Sequence, residues 1–270
     1  MKPILRALGL MMIVAYSLLP FAWQVLTSIK PDADLLSLPP LLPSRPTSEH
    51  YAAIFRDSSF PHMIFNSAVV ATMTTLLALA VATLAAFALT FLQVRRKPLI
   101  LALVLSVSMF PPIATVSPLF LLLNAVGLRD TLAGLILTYT TFSLPLAIWL
   151  LTHFFSTLPR ELYVAARIDG CTAFGALRKV ILPLATPGLL AAGLMVFIYA
   201  WNEFLFALSF TSTDAARTIP VAIALFPGLH VVPWGEIAAA SVVVSLPLVM
   251  LAVVFQRQIV EGLTAGAVKG

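Results

Sequence analysis

The sequence predicts an all-α polytopic membrane protein of six transmembrane helices, and three observations predict it. Of its 270 residues, 60% are hydrophobic and only 10% charged, with a mean hydropathy of +1.02; an ordinary soluble domain carries about 25% charged residues. Six stretches are apolar over the roughly 20 residues that a span requires, near 7–29, 64–92, 98–123, 131–153, 184–210 and 237–256. None of them alternates with a period of two, as barrel strands would, and in lipid only helices and closed barrels satisfy the backbone internally. The whole chain, 1–270, therefore reads as a single transmembrane domain.

The first stretch runs 23 residues without a charge and is closed by no small-x-small cleavage site, so it reads as an uncleaved span rather than a signal peptide. The connector 30–62 holds Pro31, Pro39, Pro40, Pro43, Pro46 and Pro61 with Asp32, Asp34, Glu49 and Asp57, and is expected to be irregular with short turns. Small residues crowd the second span (Ala78, Ala80, Ala82, Ala85, Ala86 and Ala88), which suits close helix packing. A basic hinge, Arg95-Arg96-Lys97-Pro98, leads into the third. Pro111, Pro112, Pro118, Pro145 and Pro247 lie within spans; each removes a backbone hydrogen bond, so kinks are expected there. Placing both termini and the segment 154–183 on one side gathers 11 of the 16 Lys and Arg residues there. By the positive-inside rule that side is the cytoplasm and 30–62 is external. The same rule accounts for the net charge of +5 without a nucleic-acid partner.

Within the cytoplasmic segment, residues 161–183 read ELYVAARIDGCTAFGALRKVILP. Pro159 suits a first helical turn, and Glu161 stands where the helix dipole favours an acid. Glu161, Ala165 and Asp169 recur at i, i+4, with Ala166 and Gly170 beside them, which makes a small face with acids at intervals. Gly170 is placed to end the helix in the left-handed conformation. Thr172 is placed to cap a second short helix through Lys179, and Pro183 to break it before the fifth span. The expected element is a helix–Gly turn–helix at the inner membrane surface. Physics leaves two uses open: an amphipathic interfacial helix held by Arg178 and Lys179, or a docking element for a soluble cytoplasmic partner.

These residues also carry a resemblance. Ala165-Ala166-x-x-Asp169-Gly170, followed by Ile181-Leu182-Pro183, resembles the EAA loop of permease subunits in binding-protein-dependent ABC importers. Trp201-Asn202-Glu203-Phe204 and Trp234-Gly235-Glu236 are similar to the carbohydrate-importer branch, and the tail 262–270 is similar to that of the maltose-permease G-type subunit. The resemblance covers essentially the whole chain. It departs at Val164, where the family usually places Glu, and at Cys171, where it usually places Ala; Glu161 lies one turn before Val164. It implies a type I ABC importer permease fold with a cytoplasmic coupling helix, in which Glu161, Ala165, Ala166, Asp169 and Gly170 dock on an ATPase. The partners it implies are a second permease subunit forming a heterodimer, two ATP-binding subunits carrying ATP and Mg, an extracytoplasmic sugar-binding protein and membrane lipid. The implied location is the cytoplasmic (inner) membrane of a bacterium or archaeon. The external segment near 212–235 would reach toward the binding protein, and the tail 257–270 would contact the ATPase dimer.

The chain itself carries no enzyme motif. It has no G-x-x-x-x-G-K-[ST] phosphate loop, no H-E-x-x-H and no G-x-S-x-G. The single Cys171 excludes an internal disulfide, and His50, His62, His153 and His230 are scattered, so neither a catalytic nor a metal constellation is expected. Glu203 is the one acid deep in an expected span. A charge at the bilayer centre costs roughly 2.5–3.5 kcal/mol on insertion scales, so Glu203 should face protein or water. Two readings stand. Trp201, Asn202 and Glu203 line the substrate path, where an aromatic face beside hydrogen-bonding groups suits a sugar, or Glu203 makes a polar contact to a neighbouring helix or the partner permease. Three functions compete. One is a sugar-importer permease, which the resemblance directs toward an α-linked disaccharide of the maltose or trehalose type. The second is an ABC permease for another solute such as glycerol phosphate. The third is a stand-alone secondary transporter with Glu203 as its ion site, against which the lack of an internal repeat weighs.

Overall fold

The computed structural model describes residues 2–35, 40–56, 59–226 and 232–264. The first long helix, α1 (Lys2–Ser28), is followed by two short helices, α2 (Asp32–Leu35) and α3 (Glu49–Arg56). The connector expected to be irregular is therefore partly helical. Next come α4 (Ser59–Phe91), α5 (Lys97–Ser108), α6 (Pro112–Ala125) and α7 (Leu132–Thr157). The polar segment follows as α8 (Arg160–Ile168), α9 (Ala173–Ala176), a π-helical turn over Leu177–Ile181, and α10 (Leu182–Leu184). The chain closes with α11 (Thr186–Asn202), α12 (Leu205–Phe210), α13 (Ile219–Ala224) and α14 (Trp234–Thr264). Residues 257–264 of the expected tail continue α14, while 265–270 and the Pro227-Gly228 pair lie outside the described residues.

Among the described residues, four helices are long and apolar enough to cross a membrane, and six spans result if each bent pair counts as one. Two expectations of single, merely kinked spans are corrected. The third is broken: α5 and α6 meet at 86°. Pro111 sits extended at the break and Pro112 follows it, so two consecutive residues offer no N–H to continue the α5 ladder. The fifth is α11 followed, after Glu203 and Phe204, by α12. By contrast Pro20, Pro118, Pro145 and Pro247 stay inside continuous helices. Pro183 does not break the polar segment either. The chain stays helical through it and turns at Ala185, where the limb ending at Leu184 meets α11 at 81°. The π turn just before Pro183, closed by the Leu182 N–H on the Leu177 carbonyl, widens the helix where the proline ring would otherwise press on the preceding turn.

Helix α4 packs chiefly on α7 and α11. Ala78, Ala82 and Ala86, at i, i+4, are fully buried there beside Leu151, Phe155, Leu177, Ile181 and Val196. The small-residue stripe expected on the second span is thus the face that admits its neighbours, whereas Ala80 points outward. A second cluster joins Val70, Leu135, Tyr139, Trp201, Phe206 and Phe210 midway along the bundle. A third, around Ile54, Phe60, Met63 and Ile219, packs α3 and α13 at the far end. Helix α1 packs mainly along α14 and exposes apolar side chains over most of its length.

Polar ties fix the connectors at the end opposite the hinge. The Asn66 side-chain amide donates to the carbonyls of Asp214, Ala215 and Arg217 at 3.0–3.3 Å, and the Ile219 N–H donates to Ser67 Oγ at 2.9 Å. Asp130 anchors the α6–α7 connector to the stretch after α12. Its carboxylate accepts from the N–H groups of Ser212 and Thr213 and from the Thr213 hydroxyl. Burial alone would raise the Asp130 pKa, but these donors, with the nearby Arg129 cation, outweigh it and hold the carboxyl below its ordinary value.

Candidate functional site

The polar segment folds as its residues require. The α8 helix ends in a Schellman arrangement: the Cys171 N–H donates to the Ala166 carbonyl at 3.0 Å and the Gly170 N–H to the Arg167 carbonyl at 3.2 Å. Gly170 adopts φ +87°, the left-handed conformation that closes such an end and that a side chain disfavours. The Arg167 guanidinium donates to the Cys171 carbonyl and braces the turn. Thr172 then caps α9, its hydroxyl accepting the Gly175 N–H at 3.0 Å. The expected helix–Gly turn–helix is present, with both signals at the expected residues.

Glu161, Ala165 and Asp169 lie exposed on one face of α8, and Gly170 is exposed at its end. Ala166 is placed differently: it is buried against the chain's own core, as part of the foot on which α8 rests. Tyr163 completes that foot, its ring 5.5 Å from Phe91 and 5.7 Å from Phe87. The outward face is more apolar than the spacing of its acids suggests. Val164 is 46% exposed, Ile168 79% and, across the turn, Phe174 64%. Arg160, Glu161, Val164, Ala165 and Ile168 line a depression of about 330 Å³. Val164 and Ile168, at i, i+4, were the available signal for this apolar stripe. Arrangement and charge together make a small, rigidly mounted knob with an apolar centre and a charged rim.

The second group of expected site residues sits at the break between α11 and α12. Trp201 is buried, and its indole N–H donates to the Val244 carbonyl of α14 at 3.3 Å. Phe197 stacks on it at 5.7 Å. Asn202 is exposed, and its amide donates to the Ile198 carbonyl one turn back. Glu203 is 9% exposed and accepts from the N–H groups of Phe206 and Ala207. The carboxyl group is thus the cap of α12, its two oxygens accepting helix-end N–H groups. The three residues are adjacent in sequence but point into three environments: the α14 contact, open surface and the α12 cap.

Comparison with known proteins gives a consistent result. Residues 78–264 match the family model described as the binding-protein-dependent transport system inner membrane component. The chain is similar to the trehalose transport system permease protein SugB of Mycobacterium tuberculosis, 46% identical over 96% of this chain and 95% of the relative. It is 43% identical to the sulfoquinovosyl glycerol transport system permease protein SmoH of Agrobacterium fabrum, over 100% and 94%. To the trehalose/maltose transport system permease protein MalG of Thermococcus litoralis it is 41% identical, over 100% and 98%. In three dimensions it is similar to a chain of a bacterial ABC transporter involved in the import of the acidic polysaccharide alginate, with a TM-score of 0.81, 21% identity and 95% coverage of both chains.

Proposed function

The chain belongs to the family of binding-protein-dependent transport system inner membrane components, and from that premise we propose that it is a membrane-spanning subunit of an ATP-driven importer for an α-linked disaccharide of the trehalose or maltose type. The observation that carries the coupling part of this reading is the exposed knob of α8. A helix beyond the spans that leaves Val164 and Ile168 in the open, while Tyr163 and Ala166 fasten it to the bundle, is built for a partner's cleft. Lying on lipid is the competing use. Charge does not exclude it, because the exposed Arg160, Arg167, Arg178 and Lys179 outnumber the acids Glu161 and Asp169; the choice of the cleft rests on membership of the importer family.

In the proposed assembly this chain pairs with a second permease subunit in the cytoplasmic membrane of a bacterium or archaeon. Two ATPase subunits, which carry ATP and Mg, engage Glu161, Ala165, Asp169 and Gly170 of the α8 knob, with Ala166 holding it from beneath. A binding protein delivers sugar from outside. Closure of the ATPases displaces the knob, and the packing of Ala176, Leu177 and Ile181 into the bundle carries that motion to α4, α7 and α11. The chemistry of ATP hydrolysis belongs to the partners; the role of this chain is mechanical.

The disaccharide assignment is supported by the relatives named for trehalose and for trehalose and maltose. A second reading, a sulfonated glycoside of glycerol, is supported by the comparably similar relative named for sulfoquinovosyl glycerol. Uptake of labelled trehalose by cells expressing the complete transporter tests both. Competition by unlabelled trehalose or maltose is expected. Uptake of labelled sulfoquinovosyl glycerol without uptake of labelled trehalose would select the second reading.

A further inference from the structure

Where α5 begins, the chain turns sharply. Arg96 takes φ 58°, in the left-handed region that residues with a side chain seldom occupy. This turn sets Lys97 against α7, where Lys97, Leu101, Trp149, Thr152, His153 and Ser156 line a cavity of about 190 Å³. A single water needs only about 10–15 Å³ of such space. None of the six lining residues is acidic, and Arg95 and Arg96 stand exposed beside it. The rings of Trp149 and His153 stack at 6.3 Å, with Trp149 half exposed.

One wall of this cavity is unsatisfied. Along α7, Thr138, Thr141, Ser156 and Thr157 each donate their hydroxyl to a carbonyl one turn back. Thr140 and Thr152 do not; Thr152 is 4% exposed, and its Oγ1 has no hydrogen-bond partner. A buried hydroxyl is costly to leave unpaired. Thr152 is one of the residues lining a cavity that also offers an ammonium group and an imidazole, while the Ser156 hydroxyl there is already donated to the His153 carbonyl. Such a donor set fits a phosphate oxyanion. The surroundings select its source. Leu99 and Leu103 of α5 are exposed beside the cavity, and an indole next to basic residues at a span end is the signature of the lipid–water boundary.

We propose that this cavity seats the headgroup of an anionic phospholipid of the inner leaflet. Its phosphodiester is held by Lys97 Nζ and, once the Thr152 side chain turns into the cavity, by the Thr152 hydroxyl; its acyl chains run over the exposed flank of α5, and Trp149 fences the headgroup. The site rests on the reading of the Arg95–Lys97 hinge as a membrane boundary and is independent of the transported solute.

The test is lipid retention by the purified full-length chain in mild detergent, followed by native mass spectrometry with phosphatidylglycerol, phosphatidylcholine and inorganic phosphate as probes. Phosphatidylglycerol is expected to bind in preference to phosphatidylcholine, and Lys97→Gln should weaken it about five-fold, the worth of one basic residue near an anionic surface. Thr152→Val should weaken it as well, Lys97→Arg should retain it, and Arg6→Gln, a loss of charge elsewhere on the chain, should leave it unchanged. The proposal is overturned if Lys97→Gln and Thr152→Val both bind phosphatidylglycerol as the unaltered chain does. It is equally overturned if Arg6→Gln weakens binding as much as Lys97→Gln, or if millimolar inorganic phosphate displaces the lipid, which would make the site one for a soluble anion.

Discussion

Glu203 caps Phe206 from within the bundle: Oε1 accepts the Phe206 N–H at 2.8 Å while Oε2 accepts the neighbouring Ala207 N–H at 3.1 Å. Removing the carboxylate leaves both buried N–H groups without an acceptor. Glu203→Ala should therefore lower stability by about 2 kcal/mol, seen as a reduced Tm of the purified chain. Glu203→Gln, which keeps one acceptor oxygen, should cost less. In uptake assays with trehalose and maltose each variant should lose the same factor for both sugars. A loss confined to one sugar would place Glu203 against the substrate instead.

Gly170 separates backbone conformation from bulk. Open space surrounds the position of a Cβ there, so Gly170→Ala meets only the left-handed φ, worth about 1–2 kcal/mol. Gly170→Trp adds a large side chain to the exposed end of the knob. Transport should survive the alanine at reduced level and be abolished by the tryptophan, with ATP hydrolysis no longer stimulated by the binding protein. Normal transport by Gly170→Trp would remove this face from the coupling surface.

Gly235 lies directly under the His50 ring, and a Cβ there would collide with Nε2 and Cε1. The ring cannot swing away freely, because its Nε2–H donates to the Lys30 carbonyl at 2.7 Å. Gly235→Ala should cost about 1–3 kcal/mol. In the background of His50→Ala the same substitution should cost much less, since the obstructing ring is gone. Denaturation midpoints of the four proteins form the cycle; additive losses would mean that the contact is not the cause.

The Asp130 tether has a defined pH dependence. Its folded-state pKa lies below the ordinary value, so its contribution is complete above about pH 4, where the unfolded group is also ionised. The contribution declines as pH falls through the lower folded-state value. Amide exchange at Ser212 and Thr213 should accelerate, relative to the intrinsic rate, only in that acidic range. In Asp130→Ala it should be fast at every pH. Unchanged protection in the alanine variant would show that the two N–H groups are held by something else.

Much of the fold was legible because lipid leaves the chain few options. The apolar stretches became α1, α4, α7 and α14, and the Gly170 and Thr172 signals fell on the turn and cap they specify. Pro183 and the fifth span were misread for a shared reason: both depend on local alternatives to the regular α-helix. A π turn accommodates the proline, and a side-chain cap restarts the helix after Glu203. Hydropathy averages over such changes and does not register them.

The sequence by itself determined that this chain is a helical membrane bundle with one polar helix–turn–helix, because composition, span length and turn chemistry are local quantities. Only the tertiary structure decided which way individual side chains face. It turned Ala166 inward and Val164 and Ile168 outward, made Glu203 a cap and Trp201 a strut to α14, and left Thr152 unpaired beside Lys97. Those outcomes depend on which helix lies alongside, and that is settled by packing between residues far apart in the chain.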